Sequence, residues 1–243
     1  MFEELENKVV LITGAATGIG KSIAENFGKA KAKVVINYRS DRHHSEIEEI
    51  KQTVAKFGGQ TLAVQGDVSI EEDIKRMIET TINHFGTLDI IINNAGFENS
   101  IPTHEMSIDD WQKVIDINLT GAFVGSREAI NQFLKENKKG TIINISSVHD
   151  TIPWPNYVHY AASKGGLKLM METMSMEYAQ HGIRINNISP GAIFTEHTEE
   201  KFSDPTTREE TIKMIPAREI GNAQDVANAV LFLSSDLASY IHG

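Results

Sequence analysis

Short β-branched runs alternate with longer amphipathic segments along the chain, and the intervening segments are long enough to hold helices. Nearly continuous apolar runs are typical of strands buried on both faces, which indicates a parallel sheet covered by helices. Right-handed crossovers between such strands then give a doubly wound, three-layer α/β/α sandwich. The predicted strands cover residues 9–12, 34–36, 61–64, 88–92, 141–145 and 183–188.

One segment interrupts this alternation, between the last predicted strand and a helix predicted over residues 223–234. Residues 193–215 are rich in Thr, Glu and Asp, so we expect irregular structure there. The segment is either a substrate lid or a plain solvated insertion, and the sequence favours neither interpretation. No linker stands out elsewhere, and the sequence predicts a single α/β domain over residues 1–243.

The composition of the chain narrows the classes of function. Its 23 Lys and Arg residues against 33 Asp and Glu residues give a net charge of −10, which disfavours nucleic acid and anionic membranes as partners. Zero Cys residues exclude disulfides, thiolate nucleophiles and cysteine-ligated metals. The 9 His residues are scattered, so we expect no catalytic metal. Without a basic leader or an apolar run of about 18 residues, a cytoplasmic protein is expected.

A glycine-rich loop follows the first predicted strand directly and precedes a helical pattern. Glycine permits a tight turn and close approach to a pyrophosphate, while the amides of the following helix attract negative charge. This context predicts a Rossmann-type dinucleotide site. The alternative is a turn whose glycines only allow close packing of helix and strand. The candidate cofactor-binding residues are Gly14, Thr17, Gly18, Ile19 and Gly20.

The end of the second predicted strand bears on the choice of cofactor. An NAD-selective site places an acidic residue there, but this chain has Tyr38, Arg39 and Ser40 before its first acid, Asp41. Arg39 is suited to pair with a 2′-phosphate and Ser40 to donate to it, whereas Tyr38 suits an unphosphorylated ribose. We therefore expect NADP to be accepted without excluding NAD. The alternative is that Arg39 is an ordinary surface arginine.

Ordered motifs then point to a family. The glycine loop is followed by Asn93-Asn94-Ala95-Gly96, Asn118, Ser147 and Tyr160-Ala161-Ala162-Ser163-Lys164. This set resembles the short-chain dehydrogenase/reductase family over essentially the whole chain. Within that family, residues 106–130, 146–149, 152–155 and 158–166 are similar to a group of bacterial glucose dehydrogenases. The resemblance implies an NAD(P)-dependent oxidoreductase that converts D-glucose at C1 to a lactone.

The residue types themselves explain how such chemistry works. Tyr160 and Lys164 are four positions apart, so on a helix both lie on one face. A free tyrosine titrates near pH ~10, and a nearby cation favours the phenolate that a general base requires. Lys164 is also placed to hold the nicotinamide ribose. Ser147 follows the fifth predicted strand, at the edge where such sheets bind ligands, and is suited to orient the substrate oxygen.

Further roles come from the resemblance alone. It implies that Asn118 holds a water linking Lys164 to solvent. It also implies cofactor contacts along the carboxyl edge of the sheet. Asp67 and Val68 would contact adenine; Asn94, Ala95 and Gly96 would run past the ribose; and Pro190, Gly191, Ile193 and Thr195 would close over the carboxamide.

The substrate contacts are the least determined part of the site. A sugar needs several hydrogen-bonding groups around its reacting carbon, and Glu98 and His149 are the preferred candidates beside Ser147 and Tyr160. Each could instead be a structural hydrogen-bonding partner. The segment that begins at Phe194 also departs from the more neutral sequence of the glucose enzymes.

Assembly and alternative functions complete the expectations. The family adds a seventh edge strand where this sequence stops, at Gly243, so we expect an exposed sheet edge and a weakened homotetramer. Other hypotheses are a 3-oxoacyl thioester or small-ketone reductase with the same catalytic residues, and a dinucleotide-binding sensor without chemistry.

Overall fold

The computed structural model describes residues 2–243 and contains a central sheet in which every neighbouring pair of strands is parallel. The strands are β1 Val9–Ile12, β2 Lys33–Tyr38, β3 Gln60–Gln65, β4 Ile90–Asn93, β5 Gly140–Ile145 and β6 Ile183–Ile188. Their order across the sheet is β3-β2-β1-β4-β5-β6, which reverses direction between β1 and β4. The predicted doubly wound fold class is confirmed, and ligands of such sheets bind beside this reversal.

Helices cover both faces of the sheet. They are α1 Gly18–Lys29, α2 His44–Lys56, α3 Glu71–Phe85, α4 Ile108–Ile115, α5 Gly121–Lys135, α6 Val158–Tyr178, α7 Glu199–Ser203, α8 Pro205–Met214 and α9 Ala223–Ser234. A π-helical turn, Asp116–Thr120, joins α4 to α5. Within the described residues, no helix is both long enough and apolar enough to cross a membrane.

The segment expected to be irregular contains regular structure. Helices α7 and α8 lie within residues 193–215, and a short strand, β7 Ile193–Phe194, pairs with β8 Gly221–Asn222. Asp204 caps α8 by accepting a hydrogen bond from the amide of Thr207 at 2.8 Å. Residues 193–215 are called the lid segment below.

Two apolar cores flank the sheet because successive side chains of a strand point to opposite faces. Val10 and Ile12 of β1 pack with α1, α2 and α9, whereas Val9 and Leu11 pack with α3, α5 and α6. All four side chains are fully buried. Strand β1 is therefore fixed from both sides, and so is the loop that leaves its carboxyl end.

Asparagines, two of them buried, align the carboxyl ends of three strands. Asn93, Asn144 and Asn187 occupy matching positions on β4, β5 and β6. The Asn93 amide donates to Asn144 at 2.8 Å, and the Asn144 amide donates to Asn187 at 2.9 Å. These bonds satisfy polar groups that burial would otherwise leave unpaired. They also fix the strand register at the edge that carries the candidate site.

Candidate active site

The glycine loop runs from β1 to α1 and needs glycine at three places. Gly14 and Gly18 have φ values of +60° and +55°, in the left-handed region that strains other residues. A Cβ on Gly20 would lie 2.3 Å from the carbonyl oxygen of Gly14, which is too close for any atom pair. The predicted loop is thus built around its glycines and turns tightly into the helix.

Neighbouring polar side chains hold this loop. The Thr13 hydroxyl accepts hydrogen bonds from the amides of Asn94 and Ala95, both at 3.0 Å. The Asn94 side chain donates to the carbonyls of Thr13 and Gly14 at 2.9 and 3.0 Å. Asn37 accepts from the amide of Gly14 at 3.1 Å. Asn94 therefore braces the loop. Sequence reasoning missed Thr13 and Asn37, whose signal is a polar residue at the end of an apolar strand.

The amino terminus of α1 carries an anionic group from the lid segment. Thr17 occupies the N-cap position but makes no side-chain cap bond. Instead, the Gly18 amide donates to a carboxylate oxygen of Glu196 at 2.9 Å, and the Thr17 hydroxyl contacts Nε2 of His197 at 3.0 Å. An oxygen anion thus occupies the helix end where phosphate binds in dinucleotide sites. The geometry fits a pyrophosphate, with Ile19 following Gly18 in the first turn.

The predicted ribose-phosphate residues lie at the end of β2. Tyr38 is half-buried, and Arg39 is exposed. Within residues 2–243, the Arg39 guanidinium forms no ion pair or hydrogen bond, so it is free to meet a ligand. Ser40 caps the following turn, where its hydroxyl accepts from the amide of Arg42 at 3.4 Å. That weak bond leaves the Ser40 hydroxyl hydrogen available for donation.

Asp67 and Val68 follow β3 and lie beside the same edge. One Asp67 carboxylate oxygen accepts from the amide and hydroxyl of Ser69 at 2.9 and 2.7 Å. Val68 is 9% exposed, and a Cβ on Gly121 would lie 2.6 Å from its carbonyl oxygen. The turn is thus packed tightly against the start of α5.

Helix α6 and the end of β5 bring three predicted catalytic groups together. Lys164 is fully enclosed; its ammonium donates to the Ile145 carbonyl at 2.8 Å and lies 5.6 Å from the centroid of the Tyr160 ring. Ser147 is buried beyond the end of β5, where its hydroxyl accepts from the amide of His149 at 3.2 Å. The four-residue spacing therefore does place Tyr160 and Lys164 on one face of the helix.

Burial changes the proton affinities of this pair. It raises the pKa of Tyr160 to about 12, the Glu98 carboxylate adds to the rise, and the Ser147 hydroxyl opposes it. Burial also lowers the pKa of Lys164 to about 8, against the opposing charges of Glu98 and Asp150. The sequence argument expected the lysine to favour phenolate. Desolvation dominates instead, and the raised pKa keeps the Tyr160 phenol protonated at neutral pH in the protein alone. The positive charge of an oxidised nicotinamide would favour the phenolate.

Asn118 lies in the π-helical turn between α4 and α5 and is buried. Its side-chain oxygen accepts from the Phe97 amide at 2.8 Å, and its nitrogen donates to the Phe97 carbonyl at 2.9 Å and to the Ser163 hydroxyl at 3.2 Å. A Cβ on Gly96 would lie 3.6 Å from the Asn118 oxygen and 3.9 Å from the Lys164 nitrogen. Gly96 therefore keeps open a space that Asn118 and Lys164 both border.

An aromatic wall, formed by His149, Trp154 and Tyr157, stands beside Tyr160. Trp154 stacks on His149 and Tyr157 with centroid distances of 4.2 and 3.7 Å, and it meets the Tyr160 ring edge-on at 6.0 Å. The Lys201 ammonium of α7 lies 5.3 Å from the Trp154 ring centroid. Sequence reasoning missed Trp154 and Lys201, whose meeting depends on the placement of the lid segment.

Glu98 lies near the side chains of His149, Lys164 and Lys201. It remains accessible to solvent, yet the protein around it raises the pKa of its carboxyl by desolvation, against the positive charges of Lys201, His149 and Lys164. The His149 imidazole contacts the Ile152 carbonyl through Nδ1 at 3.0 Å. Both predicted sugar contacts therefore border the space in front of Tyr160. Within residues 2–243, no three His, Asp or Glu side chains group as metal ligands.

The residues predicted to close over the carboxamide follow β6 and lead into the lid segment. The Pro190 carbonyl accepts from the Val148 amide at 3.0 Å, while a Cβ on Gly191 would meet no atom within 4 Å. Ile193 lies in β7. The Thr195 side chain would come within 3.5 Å of a Cβ on Gly18. The lid segment therefore passes directly over the amino terminus of α1.

Comparisons with known proteins find relatives over the whole chain. A family model described as enoyl-(acyl carrier protein) reductase matches residues 14–243. Glucose 1-dehydrogenase 2 of Bacillus subtilis is 45% identical over 245 residues, covering 100% of this chain and 93% of that protein. 3beta-hydroxysteroid dehydrogenase 1 of Eggerthella lenta is 44% identical over 243 residues, covering 100% of this chain and 92% of that protein.

A solved structure shares the fold of this chain. It is a Beutenbergia cavernae protein proposed to be an NAD(P)-dependent gluconate 5-dehydrogenase, with NADP bound at low occupancy. Its TM-score is 0.89 and its identity 30%, and the match covers 98% of this chain and 93% of that one. The names of these proteins agree on a dehydrogenase and differ in the alcohol that is oxidised.

Proposed function

The chain belongs to the short-chain dehydrogenase/reductase family, and from that membership we propose that it oxidises D-glucose at C1 to the lactone. The observation that carries the proposal is the meeting of Tyr160, Lys164 and Ser147 at the carboxyl edge of the sheet, beside the glycine loop. The same edge carries polar groups suited to a sugar.

NADP or NAD accepts the hydride when bound, which is the redox chemistry that the cofactor supplies. Gly14, Gly18 and Gly20 shape the loop for its pyrophosphate, and Arg39 is free to pair with a 2′-phosphate. The Beutenbergia relative with bound NADP supports this assignment. Because β2 ends in Tyr38 rather than an acid, we propose that both cofactors are accepted.

The chain's own task is to remove a proton and orient the substrate. Tyr160 acts as general base in its phenolate form, which the positive charge of an oxidised nicotinamide would favour, and takes the proton of the substrate hydroxyl. The Ser147 hydroxyl donates a hydrogen bond to the same substrate oxygen. Lys164 holds its charge beside the phenol and reaches the nicotinamide ribose. Asn118, at the end of the space bordered by Lys164, belongs to the path by which the proton leaves.

Glu98 and His149 supply the sugar contacts in this proposal. Both border the space in front of Tyr160, and several polar groups around one carbon are what a sugar requires. The Glu98 carboxyl, whose pKa is raised, is also a good partner for a sugar hydroxyl. It accepts a hydrogen bond as a carboxylate, and once protonated it also donates one. Trp154 closes this space on its apolar side.

A steroid 3β-alcohol is the second candidate substrate, because a relative with that name is 44% identical over the whole chain. The aromatic wall offers a rigid apolar surface to a fused ring system. This surface suits a steroid better than it suits a small ketone. A 3-oxoacyl thioester remains a third possibility for the same catalytic residues.

The test is a substrate panel with the purified protein. D-glucose or a 3β-hydroxysteroid is mixed with NAD or NADP at mildly alkaline pH, and a 3-oxoacyl thioester is mixed with NADPH, while absorbance follows reduced nicotinamide. Preferential reduction of cofactor by D-glucose is the expected result. Turnover of the steroid or the thioester alone would replace the proposed substrate, and cofactor binding without any turnover would favour a sensor.

We also propose that the chain assembles as a homo-oligomer, a tetramer by family resemblance. Leu169 and Met176 of α6 are 66% and 85% exposed, which is unusual for large apolar side chains on one helix. Size-exclusion chromatography with light scattering tests this, and a monomeric mass would contradict it.

A further inference from the structure

The lid segment places a carboxylate on the amide that a cofactor phosphate needs. Glu196 accepts from the Gly18 amide at 2.9 Å, at the start of the twelve-residue helix α1. We propose that Glu196 is an internal anionic ligand of this phosphate site and that the dinucleotide binds by displacing it. The inference rests on the proposed function, because it concerns the affinity of the proposed cofactor site.

Several contacts hold Glu196 in this position. The neighbouring His197 contacts the Thr17 hydroxyl at 3.0 Å, so two consecutive lid residues meet the loop. Behind them, the Thr198 hydroxyl accepts from the Thr195 amide and donates to the Ile193 carbonyl, both at 2.9 Å. The turn that carries Glu196 is thus ordered by its own hydrogen bonds. This ordered turn holds the Glu196 carboxylate against the Gly18 amide.

The helix end also has a reason to bind this carboxylate. Free amides in the first turn carry partial positive charge, and Thr17 makes no side-chain cap bond to satisfy them. A carboxylate at this position stabilises the helix for the same reason that a phosphate does. The Glu196 carboxylate therefore occupies the position in which a cofactor phosphate would bind.

The charges nearby strengthen the competition. Glu196 and Glu199 both line the cleft between Gly18 and the lid segment, together with Phe194, Thr195 and Ala223. Lys21, in the first turn of α1, is paired with Glu49 at 2.6 Å. Its pKa is raised mainly by Glu49 and only in small part by Glu196. A pyrophosphate entering this cleft meets two carboxylates before it reaches the amide.

Displacement has a direct consequence for the lid segment. When a phosphate occupies the Gly18 amide, the Glu196 side chain must leave it, and the lid segment loses this contact with the glycine loop. Cofactor binding and the position of the lid are thereby coupled through one residue. Binding of the dinucleotide must break the contact between Glu196 and Gly18, so the free energy of that contact is subtracted from the binding free energy. The affinity is therefore lower than it would be for the same loop without Glu196.

Isothermal titration calorimetry with NADP and with inorganic pyrophosphate tests the proposal. Three proteins are compared: the wild type, Glu196→Gln, and Glu200→Gln as the matched control, since Glu200 is an exposed neighbour with no contact to the loop. We expect Glu196→Gln to bind both probes about five-fold more tightly and Glu200→Gln to match the wild type. Equal affinities in the two variants, or weaker binding by Glu196→Gln, would overturn the proposal.

Proteolysis gives a second measurement that does not depend on ligand. Trypsin cleavage after Lys201 reports how firmly the lid segment is held, and we expect it to be faster in Glu196→Gln than in Glu200→Gln. Equal cleavage rates would contradict the structural half of the proposal.

The two probes separate this inference from the proposed function. If NADP binds all three proteins equally, the cofactor assignment stands and the Glu196 inference fails. If NADP binds none of them while pyrophosphate binds Glu196→Gln more tightly, the cofactor assignment fails and the competing carboxylate stands.

Discussion

Helices α1 and α8 are similar in length, yet the structure holds them in different ways. Helix α1 buries Ile23, Ala24 and Phe27 against the sheet and α9, whereas α8 has no buried residue. The neighbouring α7 buries only Phe202. The candidate site is thus built from a fixed frame, the glycine loop with α1 and the strand ends, and from a lid segment with few apolar contacts.

This difference indicates that the packed frame and the lid segment have different roles. Catalysis needs groups held to a fraction of an ångström. Tyr160 and Lys164 belong to α6, which packs on the sheet, and Ser147 is buried just beyond the end of β5. Substrate and cofactor must enter and leave, which weakly packed segments allow. The frame and the lid segment should therefore respond differently to substitution.

The largest effect on cofactor affinity is expected where the frame has no space. Gly20→Ala places a Cβ 2.3 Å from the Gly14 carbonyl oxygen and 2.6 Å from the Asn94 side-chain nitrogen, so the loop must deform. We expect NADP affinity, measured by calorimetry, to fall by about 100-fold or more.

The matched control for that substitution is Gly165→Ala on α6. Its Cβ would meet only the Asp150 carbonyl oxygen, at an ordinary 3.7 Å. Alanine is also the better helix former by about 1 kcal/mol, so this variant should fold and bind cofactor normally. Equal loss of affinity in the two variants would show that the loop is not the rigid part.

A pair of phenylalanines compares the two regions directly. Phe27 of α1 is 0% exposed and Phe202 of α7 is 4% exposed. Phe27→Ala should lower the free energy of unfolding by about 3–5 kcal/mol, as for a fully enclosed aromatic side chain. Phe202→Ala should cost less than about 2 kcal/mol, because its surroundings can relax. Urea unfolding measures both, and equal losses would mean that the lid segment is part of the core.

The buried lysine makes stability depend on pH. Because the pKa of Lys164 falls from 10.5 to about 8 on folding, the unfolded chain holds an extra proton between these values. The free energy of unfolding therefore rises with pH across this window, by an amount on the order of 3 kcal/mol. The raised pKa of Tyr160 acts in the opposite direction only above its ordinary value of 10.

Urea unfolding across that window checks the sign. Lys164→Met should lose the rise, whereas Lys168→Met, one turn further along α6, should keep it. A wild type whose stability falls between pH 8 and 10.5 would show that Lys164 is not held in a desolvated site.

The smallest effect is expected at the exposed end of β2. Arg39→Ala removes a guanidinium without a partner among residues 2–243, and we expect NADP affinity to fall about ten-fold while NAD affinity changes little. Arg42→Ala is the matched control, since Arg42 donates to His43 at 2.9 Å. Equal losses for NAD and NADP in Arg39→Ala would remove the 2′-phosphate assignment.

The fixed frame was largely predictable from sequence, because its signals are local. The strands predicted at 9–12 and 183–188 have the observed bounds, and the helix predicted over 223–234 matches α9. The strand predicted at 88–92 begins instead at Ile90 and extends to Asn93, since asparagine pairing with Asn144 continues the ladder beyond the apolar run.

The lid segment was harder to predict because tertiary contacts place it. Helix α8 did have a local signal, the Asp204-Pro205 start that caps and begins a helix, which its polar composition obscured. The contact between Glu196 and Gly18 had none, because 178 residues separate them in sequence. Nor did sequence spacing reveal that burial would raise rather than lower the pKa of Tyr160.

In the proposed reaction Tyr160 takes the proton of the substrate, whereas binding of the cofactor does not depend on the Tyr160 hydroxyl. The most direct measurement compares the wild type with Tyr160→Phe for turnover of D-glucose with NADP and for the dissociation constant of NADP. The account predicts that turnover falls about a thousand-fold while the dissociation constant stays within about two-fold of the wild type. Undiminished turnover in Tyr160→Phe would contradict it.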